Sequence, residues 1–216
     1  MAETSVTSAE SSEGDGRTNR AVRTRIAVVD ALLALNEKDN LRPTAREIAE
    51  EAGVSLRSIY VHFDDVESLL VAAAIRHAEH LQSLGLPLLS DGPLDDRVDR
   101  LLAHRRRIFE AAPGVRRAAL LQEPFSPALQ RALDAGRAAG RAEIDRVFAS
   151  ESAAAGSGGE RLRQALSLVT GSNTWDVMRR YQGLSADEAE AQLRTMVFAL
   201  LAGWSQAIGR ANEGGR

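Results

Sequence analysis

Apolar residues recur three and four positions apart along most of this 216-residue chain. That spacing places them on one face of an α-helix. No run of β-branched residues alternates with polar ones over the length of a strand, so we expect an all-α fold. The glycine-rich segment at 151–160 is expected to be a flexible loop. The pattern predicts helices at about 20–36, 45–52, 56–62, 65–84, 94–111, 115–121, 127–150, 161–181 and 186–209.

Residues 44–63 read T-A-R-E-I-A-E-E-A-G-V-S-L-R-S-I-Y-V-H-F and predict two short helices joined by a tight turn. Thr44 and Glu47 have the spacing of a capping box, in which each side chain accepts a hydrogen bond from the other residue's amide. Gly53 stands where a left-handed backbone ends the first helix, and Ser55 can cap the second. A helix, a short turn and a second helix form a unit that reads DNA in the major groove.

These residues, together with the F-D-D-V-E-S-L-L that follows, resemble the TetR-like family of bacterial transcriptional regulators. The resemblance implies an N-terminal three-helix helix-turn-helix domain and a linking fourth helix. It also implies a larger C-terminal helical domain that binds a ligand and dimerises. We therefore expect residues 17–66 to bind DNA and residues 67–216 to bind the ligand and a second copy. Val66 departs from the family pattern, which commonly has a phosphate-binding lysine there.

Charge is distributed unevenly along the chain. The first sixteen residues carry four acids, no base and few apolar side chains. They lack the basic start and apolar stretch of a secretion signal, and we expect a disordered tail at 1–16. Residues 17–63 carry eight basic against six acidic side chains, although the net charge of the chain is −3. The positive excess therefore coincides with the helix-turn-helix, as binding to DNA requires.

Side chains of the second short helix are candidates for reading bases. Arg57 and Ser58 lie near its start, where side chains reach base edges, and arginine forms paired hydrogen bonds with guanine. Leu56 could touch a thymine methyl group or shield the turn. Tyr60 and His62 suit phosphate contacts or packing against the fourth helix.

Other candidates surround that helix. Thr44 offers a phosphate the positive end of the first short helix, and Arg46 either contacts the DNA backbone or faces solvent. Arg17, Arg20 and Arg23 form either an arm towards DNA or the solvated start of the first helix. The interface expected on double-stranded DNA comprises Arg23, Thr44, Arg46, Ser55, Leu56, Arg57, Ser58, Tyr60 and His62.

The last helix carries a broad apolar stripe. Such a stripe is typical of an ordinary core helix or of a helix that pairs with its copy in a four-helix bundle. The family resemblance favours pairing, and a twofold dimer matches a palindromic operator. We therefore expect a homodimer. The residues expected at its interface are Leu166, Val169, Leu193, Met196, Leu200 and Trp204.

The middle helices carry more large apolar side chains than an outer face needs. These either pack a core or line a pocket for a small, largely apolar or aromatic effector, with Gln122, Asn173 or Arg179 as polar points. The family resemblance implies a repressor that leaves its operator when the effector binds. The alternative is a helical protein that binds DNA without sequence preference. The pocket candidates are Phe109, Leu120, Phe125, Leu129, Phe148, Trp175, Met178 and Tyr181.

The sequence gives little support to other chemistry. It contains no cysteine, no phosphate-cradling glycine loop and no nucleophile with its base, so we expect neither an enzyme nor a cofactor. His77 and His80 have metal-ligand spacing but no identifiable third ligand, so no metal site is expected. Residues 104–107, H-R-R-R, are typical of a solvated helix end, with anion sensing as the alternative. No apolar run is long enough to span a bilayer, and we expect a cytoplasmic protein.

Overall fold

The computed structural model describes residues 7–213, with side chains described for residues 18–205. This range contains helices and no β-strand, which confirms the all-α prediction. A 3₁₀ turn at Glu123–Phe125 precedes α7, and another at Gly156–Gly158 precedes α9. The helices are α1 (Thr7–Glu37), α2 (Ala45–Ala52), α3 (Leu56–His62), α4 (Val66–Leu84), α5 (Leu94–Ala111), α6 (Pro113–Gln122), α7 (Pro127–Val147), α8 (Ala149–Ala154), α9 (Gly159–Val169), α10 (Ser172–Asp176) and α11 (Ala186–Glu213).

Helix α1 begins earlier than the apolar pattern indicated. Its first residue is Thr7, whereas the prediction was about residue 20, so residues 7–16 of the expected disordered tail lie in a helix. No proline interrupts this stretch, and each residue added to an existing helix forms one more backbone hydrogen bond. Residues 1–6 lie outside the described part of the chain.

The loop expected at 151–160 is instead helical, through α8, a 3₁₀ turn and the start of α9. Its small residues permit close packing, because a Cβ atom on Gly159 would lie 2.3 Å from the carbonyl oxygen of Ser152. The helix predicted at 161–181 is broken. The Thr170 hydroxyl bonds back to Leu166 O at 2.8 Å, and the backbone at Gly171 is extended before α10 begins. Helix α10 then passes into a π-helical turn at Val177–Tyr181.

The chain divides into two compact units. The N-terminal unit comprises the chain up to Glu79 together with Ala112–Ala132, and the C-terminal unit comprises His80–Ala111 together with the residues from Leu133 onward. The division falls inside α4 and inside α7, rather than between residues 66 and 67. Helix α6 belongs with the helix-turn-helix because it packs closely on the end of α1. A Cβ atom on Gly114 would lie 2.2 Å from Asn36 O, and Val115 N donates to Glu37 Oε1 at 2.8 Å.

The turn between α2 and α3 has the predicted left-handed backbone. Gly53 has φ +65°, and its amide donates back to the last turn of α2. Val54 N donates to Ala49 O at 3.0 Å, which satisfies another carbonyl at the helix end. The core of this unit joins α1, α2, α3 and α4. Its buried members are Val28, Val29, Ala31, Leu32, Ile48, Ala49, Ile59, Phe63, Leu69 and Ala73.

Asp64 and Glu67 have the sequence spacing of a capping box at the start of α4, but the structure assigns Glu67 another role. Asp65 caps α4 by accepting from Ser68 N at 2.7 Å. Glu67 Oε1 instead accepts from the Ser126 hydroxyl at 2.7 Å and from Ala128 N at 3.2 Å, at the start of α7. Glu67 is therefore the carboxylate that stabilises the positive N-terminus of a distant helix.

The core of the C-terminal unit gathers side chains from α5, α7, α9, α10 and α11. Ser185 and Glu188 have the spacing of a capping box and form one at the start of α11. Ser185 N donates to Glu188 Oε2 at 2.7 Å, and Glu188 N donates to Ser185 Oγ at 3.2 Å. The largest fully buried side chains in this core are Trp175, Phe148, Leu101, Leu102, Ile144, Leu162, Leu166, Met178 and Leu193.

The H-R-R-R segment is not the solvated helix end that we expected, because His104 and Arg105 are buried. Leu86 N donates to His104 Nδ1 at 3.0 Å, so the proton of a neutral ring lies on Nε2, 3.2 Å from Glu143 Oε1. Arg105 Nη2 lies 2.9 Å from Glu143 Oε2 and donates to Gly140 O at 3.0 Å. These partners compensate in part for the burial of an arginine and a histidine, since Arg105 Nε has no hydrogen-bond partner.

Burial and charge pairing shift the pKa values of Arg105 and Glu143 in opposite directions. Burial lowers the pKa of Arg105 despite the nearby carboxylate. Burial would raise the pKa of Glu143, but the hydrogen bond from His104 and the charge of Arg105 outweigh it and hold that pKa below its ordinary value. Glu143 therefore stabilises the fold in its ionised form.

Two features are absent from the described residues. No helix among them is long and apolar enough to cross a membrane. No three His, Asp or Glu side chains among them are grouped to hold a metal ion.

The replacement Gly53→Val should lower the free energy of unfolding of the N-terminal unit by more than about 1 kcal/mol, because a β-branched residue at positive φ is strained. Thermal melting checks this result. The matched control is Gly136→Ala, where an added Cβ meets no atom within 4 Å and φ is not positive. That change in α7 should stabilise the protein by roughly 0.5–1 kcal/mol. Equal melting temperatures for wild type and Gly53→Val would contradict the left-handed turn.

The replacement Glu143→Ala should destabilise the protein by on the order of 3 kcal/mol at pH 7, because it leaves the buried Arg105 without its counter-charge. Glu160→Ala, which removes an exposed partner of Arg163, should change stability by less than about 0.5 kcal/mol. Since the pKa of Glu143 is lowered in the fold, its contribution is fully present above the unfolded value of about 4.3. Denaturant titrations should show the difference between wild type and Glu143→Ala shrinking as the pH falls below that value. A difference that stays constant down to pH 3 would contradict the ionised pair.

Candidate nucleic-acid interface

Helix α3 is seated on the N-terminal unit by one face and by a cap. Ile59 and Phe63, at its inner face and C-terminal end, are buried in the core. At the other end, Ser58 N donates to Ser55 Oγ at 3.2 Å, which confirms the predicted cap.

Arg25 of α1 fixes the C-terminal end of α3, and sequence reasoning missed it. Its Nη1 donates to His62 O at 2.5 Å, and its guanidinium carbon lies 4.3 Å from the centroid of the Phe63 ring. The positive charge of Arg25 is favourable at the negative C-terminal end of α3 and also over the face of the Phe63 ring. The residues are 37 positions apart, so no local pattern indicates this contact.

The opposite face of α3 is turned to solvent. Each residue rotates a helix by about 100°, so Arg57 and Val61 both lie on the side away from Ile59. Arg57 is exposed, Val61 is 70% exposed and Tyr60 is 64% exposed. Leu56, at the start of the helix, is 40% exposed. A short helix with one buried face and an arginine on the other has the geometry that enters a major groove. Val61 was not among the predicted contacts.

Two of the predicted contacts have local structural roles. Ser58 is half-buried, and its hydroxyl lies 2.8 Å from that of Ser55. His62 is half-buried, and its carbonyl is bonded to Arg25. Contacts of Ser55, Ser58 and His62 with DNA remain predictions.

The N-terminus of α2 carries the predicted capping box. Thr44 N donates to Glu47 Oε2 at 2.7 Å, and Glu47 N donates to Thr44 Oγ1 at 3.3 Å. The hydrogen bonds from the side chain and then the backbone of Thr44 lower the pKa of Glu47. The Thr44 hydroxyl also lies 2.7 Å from Glu47 Oε2, so a phosphate contact by this hydroxyl requires that bond to be exchanged. Arg46, in the first turn, is exposed.

The basic residues of α1 lie on an exposed part of that helix. Arg23 is exposed and donates from Nε to Asn19 O at 3.2 Å. Arg20 is exposed as well. The side chain of Arg17 lies outside the described residues. The expectation of an arm towards DNA therefore rests on Arg20 and Arg23.

The predicted effector residues are divided between the two units. Leu120, Phe125 and Leu129 belong to the N-terminal unit, where Phe125 is 75% exposed beside Arg42. The others belong to the C-terminal unit, where Tyr181 is 78% exposed. Four of them fill its core, namely Phe109, Phe148, Trp175 and Met178. Residue type identified large apolar side chains, but it could not separate core filling from pocket lining.

The Phe109 and Trp175 rings form the close aromatic pair of this core. Their centroids lie 6.1 Å apart. Trp175 Nε1 donates to Glu110 Oε1 at 2.7 Å, and Arg179 binds both oxygens of the same carboxylate at 3.0 Å. Burial would raise the pKa of Glu110, but these bonds outweigh it and lower that pKa. Arg179, which was expected to be a polar contact of the effector, is thus joined to the core through Glu110.

An open groove lies within the N-terminal unit, and none of the predicted pocket residues lines it. It has a volume of about 640 Å³ and runs between α1 and α4. Val22, Ile26 and Ile75 contribute its apolar lining, and charged groups such as Arg76 and Glu79 contribute its polar part.

Two predicted dimer residues are unavailable to a partner. Leu166 and Leu193 are fully buried in the core of their own unit, so their assignment to the interface is wrong. Within the apolar stripe of α11, one line of residues is buried in the core, namely Ala189, Leu193 and Val197. The remaining predicted residues, Val169, Met196, Leu200 and Trp204, are half-buried.

A family model described as bacterial regulatory proteins of the tetR family matches residues 29–73, from α1 into α4. The HTH-type transcriptional repressor KstR of Rhodococcus jostii (strain RHA1) is 31% identical over 143 residues. The aligned part is 66% of this chain and 62% of that repressor. The chain thus matches less than two thirds of the length of this relative.

Solved structures show the same fold at low identity. A transcriptional regulator from Rhodococcus sp. Rha1 is 17% identical and superposes with a TM-score of 0.67, over 83% of this chain and 96% of that one. A putative transcriptional regulator from Pseudomonas aeruginosa PAO1 is 18% identical with a TM-score of 0.57, over 83% and 90%. The matched residues 29–73 contain the capped α2, the left-handed turn at Gly53 and the exposed α3. The helix-turn-helix segment of this chain is therefore similar to the tetR family of bacterial regulatory proteins over residues 29–73.

Proposed function

We propose that this chain is a homodimeric, sequence-specific DNA-binding regulator of transcription that acts in the cytoplasm. The observation that carries the proposal is the exposed face of α3, where Arg57 stands opposite the buried Ile59. Arginine forms two hydrogen bonds with the O6 and N7 atoms of guanine, which makes it the commonest base-reading side chain. The TetR-family match over residues 29–73 supports the same function.

We propose repression as the direction of regulation, relieved by a small effector. The named relative from Rhodococcus jostii is a transcriptional repressor. A dimer binds two half-sites when its recognition helices are one helical turn of DNA apart, about 34–36 Å. Helix α4 runs from the N-terminal unit into the C-terminal unit. A shift of α4 on effector binding would change that separation and thereby couple effector binding to DNA binding.

We propose that the dimer forms through the outer faces of α9 and α11, by contacts revised from those expected. Leu168 on α9 is an exposed large apolar residue. Towards the end of α11, Ala199 and Gly203 are small and exposed, and a Cβ atom on Gly203 would meet no atom within 4 Å. Small residues let two helices approach closely. The half-buried Val169, Met196, Leu200 and Trp204 would extend this face, whereas Leu166 and Leu193 would support it from within.

We propose a largely apolar or aromatic effector that binds among Phe109, Phe148, Trp175 and Met178, with Glu110 and Arg179 as its polar contacts. These side chains already pack together in the C-terminal core. An effector must therefore displace some of them, which links its binding to a change in core packing. Opening a packed core around an apolar compound retains burial of apolar surface, whereas a highly charged compound would lose its hydration there.

The replacement Arg57→Ala should weaken binding to the preferred operator by about 1–3 kcal/mol and change binding to random DNA little. The operator is first obtained by selection from random duplexes, and affinities are measured at one fixed salt concentration. The matched control is Arg46→Ala, which removes an exposed arginine at the start of α2. It should weaken binding to the operator and to random DNA alike.

Footprinting of the wild-type chain separates this function from non-specific binding. A short protected palindrome that is lost with Arg57→Ala supports a dimeric regulator. Uniform protection would refute sequence reading by this arginine. So would an Arg57→Ala variant in which binding to the operator and binding to random DNA are weakened equally.

Fluorescence of Trp175 provides a test of the effector site. The chain contains two tryptophans, so Trp204→Phe leaves Trp175 as the only source of tryptophan emission. An apolar compound that releases the protein from its operator should shift or quench this emission, because Trp175 is buried against Phe109. Release by a highly charged metabolite, with unchanged emission, would place the effector site elsewhere.

A further inference from the structure

The exposed face of α3 contains a large apolar side chain that packing does not explain. Val61 is 70% exposed, whereas Ile59, two residues earlier, is 4% exposed. Leu56 is less exposed, at 40%, and lies on the flank of the helix next to the turn. Val61 instead lies one helical turn after Arg57, on the same outward line.

Val61 gives the free protein no evident benefit at this position. Valine is a poorer helix former than alanine because its branched Cβ restricts the side chain. It contributes nothing to a helix of seven residues unless it packs against something. A single exposed apolar residue is ordinary on a protein surface. What distinguishes Val61 is that it shares its line with the arginine assigned to base reading.

Only one apolar group is available to such a side chain in a major groove. Of the four bases, only thymine presents a methyl group there, at C5, whereas the other base edges present hydrogen-bond donors and acceptors. An isopropyl group pressed against the amino group of cytosine or adenine would leave that donor unsatisfied, which is unfavourable.

We propose that Val61 contacts the 5-methyl group of a thymine and thereby makes this base part of the recognised sequence. The proposal rests on the proposed function, since it assumes that α3 lies in the major groove. Residues 57 and 61 are separated by about 6 Å along the helix axis, which is close to two base-pair steps of about 3.4 Å. The thymine should therefore lie about two base pairs from the guanine read by Arg57, in each half-site.

Deoxyuridine tests the contact atom by atom, because it differs from thymidine only in the missing methyl group. An operator is selected from random duplexes with the wild-type chain, and each thymine in it is then replaced singly by uracil. Affinity should fall about fourfold for one half-site, the effect of removing one methyl group from an apolar contact. The guanine read by Arg57 is identified as the one whose replacement weakens binding of wild type but not of Arg57→Ala. The loss on uracil replacement should occur at a thymine about two base pairs from that guanine.

The variant Val61→Ala completes a double-mutant cycle. It should bind the operators with thymine and with uracil at that position equally. Its melting temperature should equal or slightly exceed that of wild type, because Val61 is exposed and alanine is the better helix former. The matched control is Leu56→Ala, which should keep the fourfold preference for thymine there. Loss of the preference in Leu56→Ala but not in Val61→Ala would assign the methyl contact to Leu56 and overturn the proposal.

The failure of this proposal is distinguishable from failure of the proposed function. If uracil is tolerated at every position while Arg57→Ala still loses the operator, the methyl contact is refuted and the regulator remains. If selection yields no preferred sequence at all, the proposed function fails and the thymine contact fails with it.

Discussion

A helix of seven residues is not stable in water by itself, so α3 depends on the rest of the N-terminal unit for its existence. Burial of Ile59 and Phe63 holds one face of it against α1, α2 and α4. Ser55 satisfies an amide at one end, and Arg25 satisfies a carbonyl at the other. Because these attachments all lie on one side or at the ends, the opposite side is left free of the core. The candidate DNA-binding surface is thus a consequence of how the helix is anchored.

The anchoring extends to helices outside the helix-turn-helix. Glu67 of α4 accepts hydrogen bonds from Ser126 and Ala128 at the start of α7, and Glu37 of α1 accepts from the Val115 amide in α6. In both cases a carboxylate serves the N-terminus of a helix that lies far along the sequence. Helix N-termini attract negative charge, so such contacts fix where a distant helix begins. They explain why α6 and the start of α7 belong to the same compact unit as α2 and α3.

Local rules predicted much of the fold because their partners are three or four residues apart. The capping boxes of Thr44 with Glu47 and of Ser185 with Glu188 are of this kind, as is the left-handed Gly53. Prediction failed where a residue had a choice between a local and a distant partner. Glu67 has the spacing of a capping box but serves α7 instead. His104 lies in a run of arginines that is typical of a solvated surface, yet Leu86 and Glu143 hold it in the interior.

The candidate site was predictable to a similar extent. Arg57, Tyr60 and Leu56 are exposed on α3, as the periodicity of the helix indicates. The same periodicity could not separate a core stripe from a subunit contact, because both require apolar residues on one face of a helix. Leu193 and Leu166 were placed in the subunit contact for that reason, although they fill their own core. Val61 was missed because an apolar residue in a helix suggests burial until the position of its neighbours is known.

The attachment of Arg25 also bears on how the affinity for DNA depends on salt. Counterions leave DNA in proportion to the number of phosphates that free basic side chains neutralise. Arg25 already binds the carbonyl of His62 and lies over the ring of Phe63, so it is not a free phosphate ligand. A count of arginines in this segment therefore overstates the number of ions released. Under the proposed function, the affinity for DNA should therefore change less steeply with ionic strength than the eight basic side chains of residues 17–63 suggest.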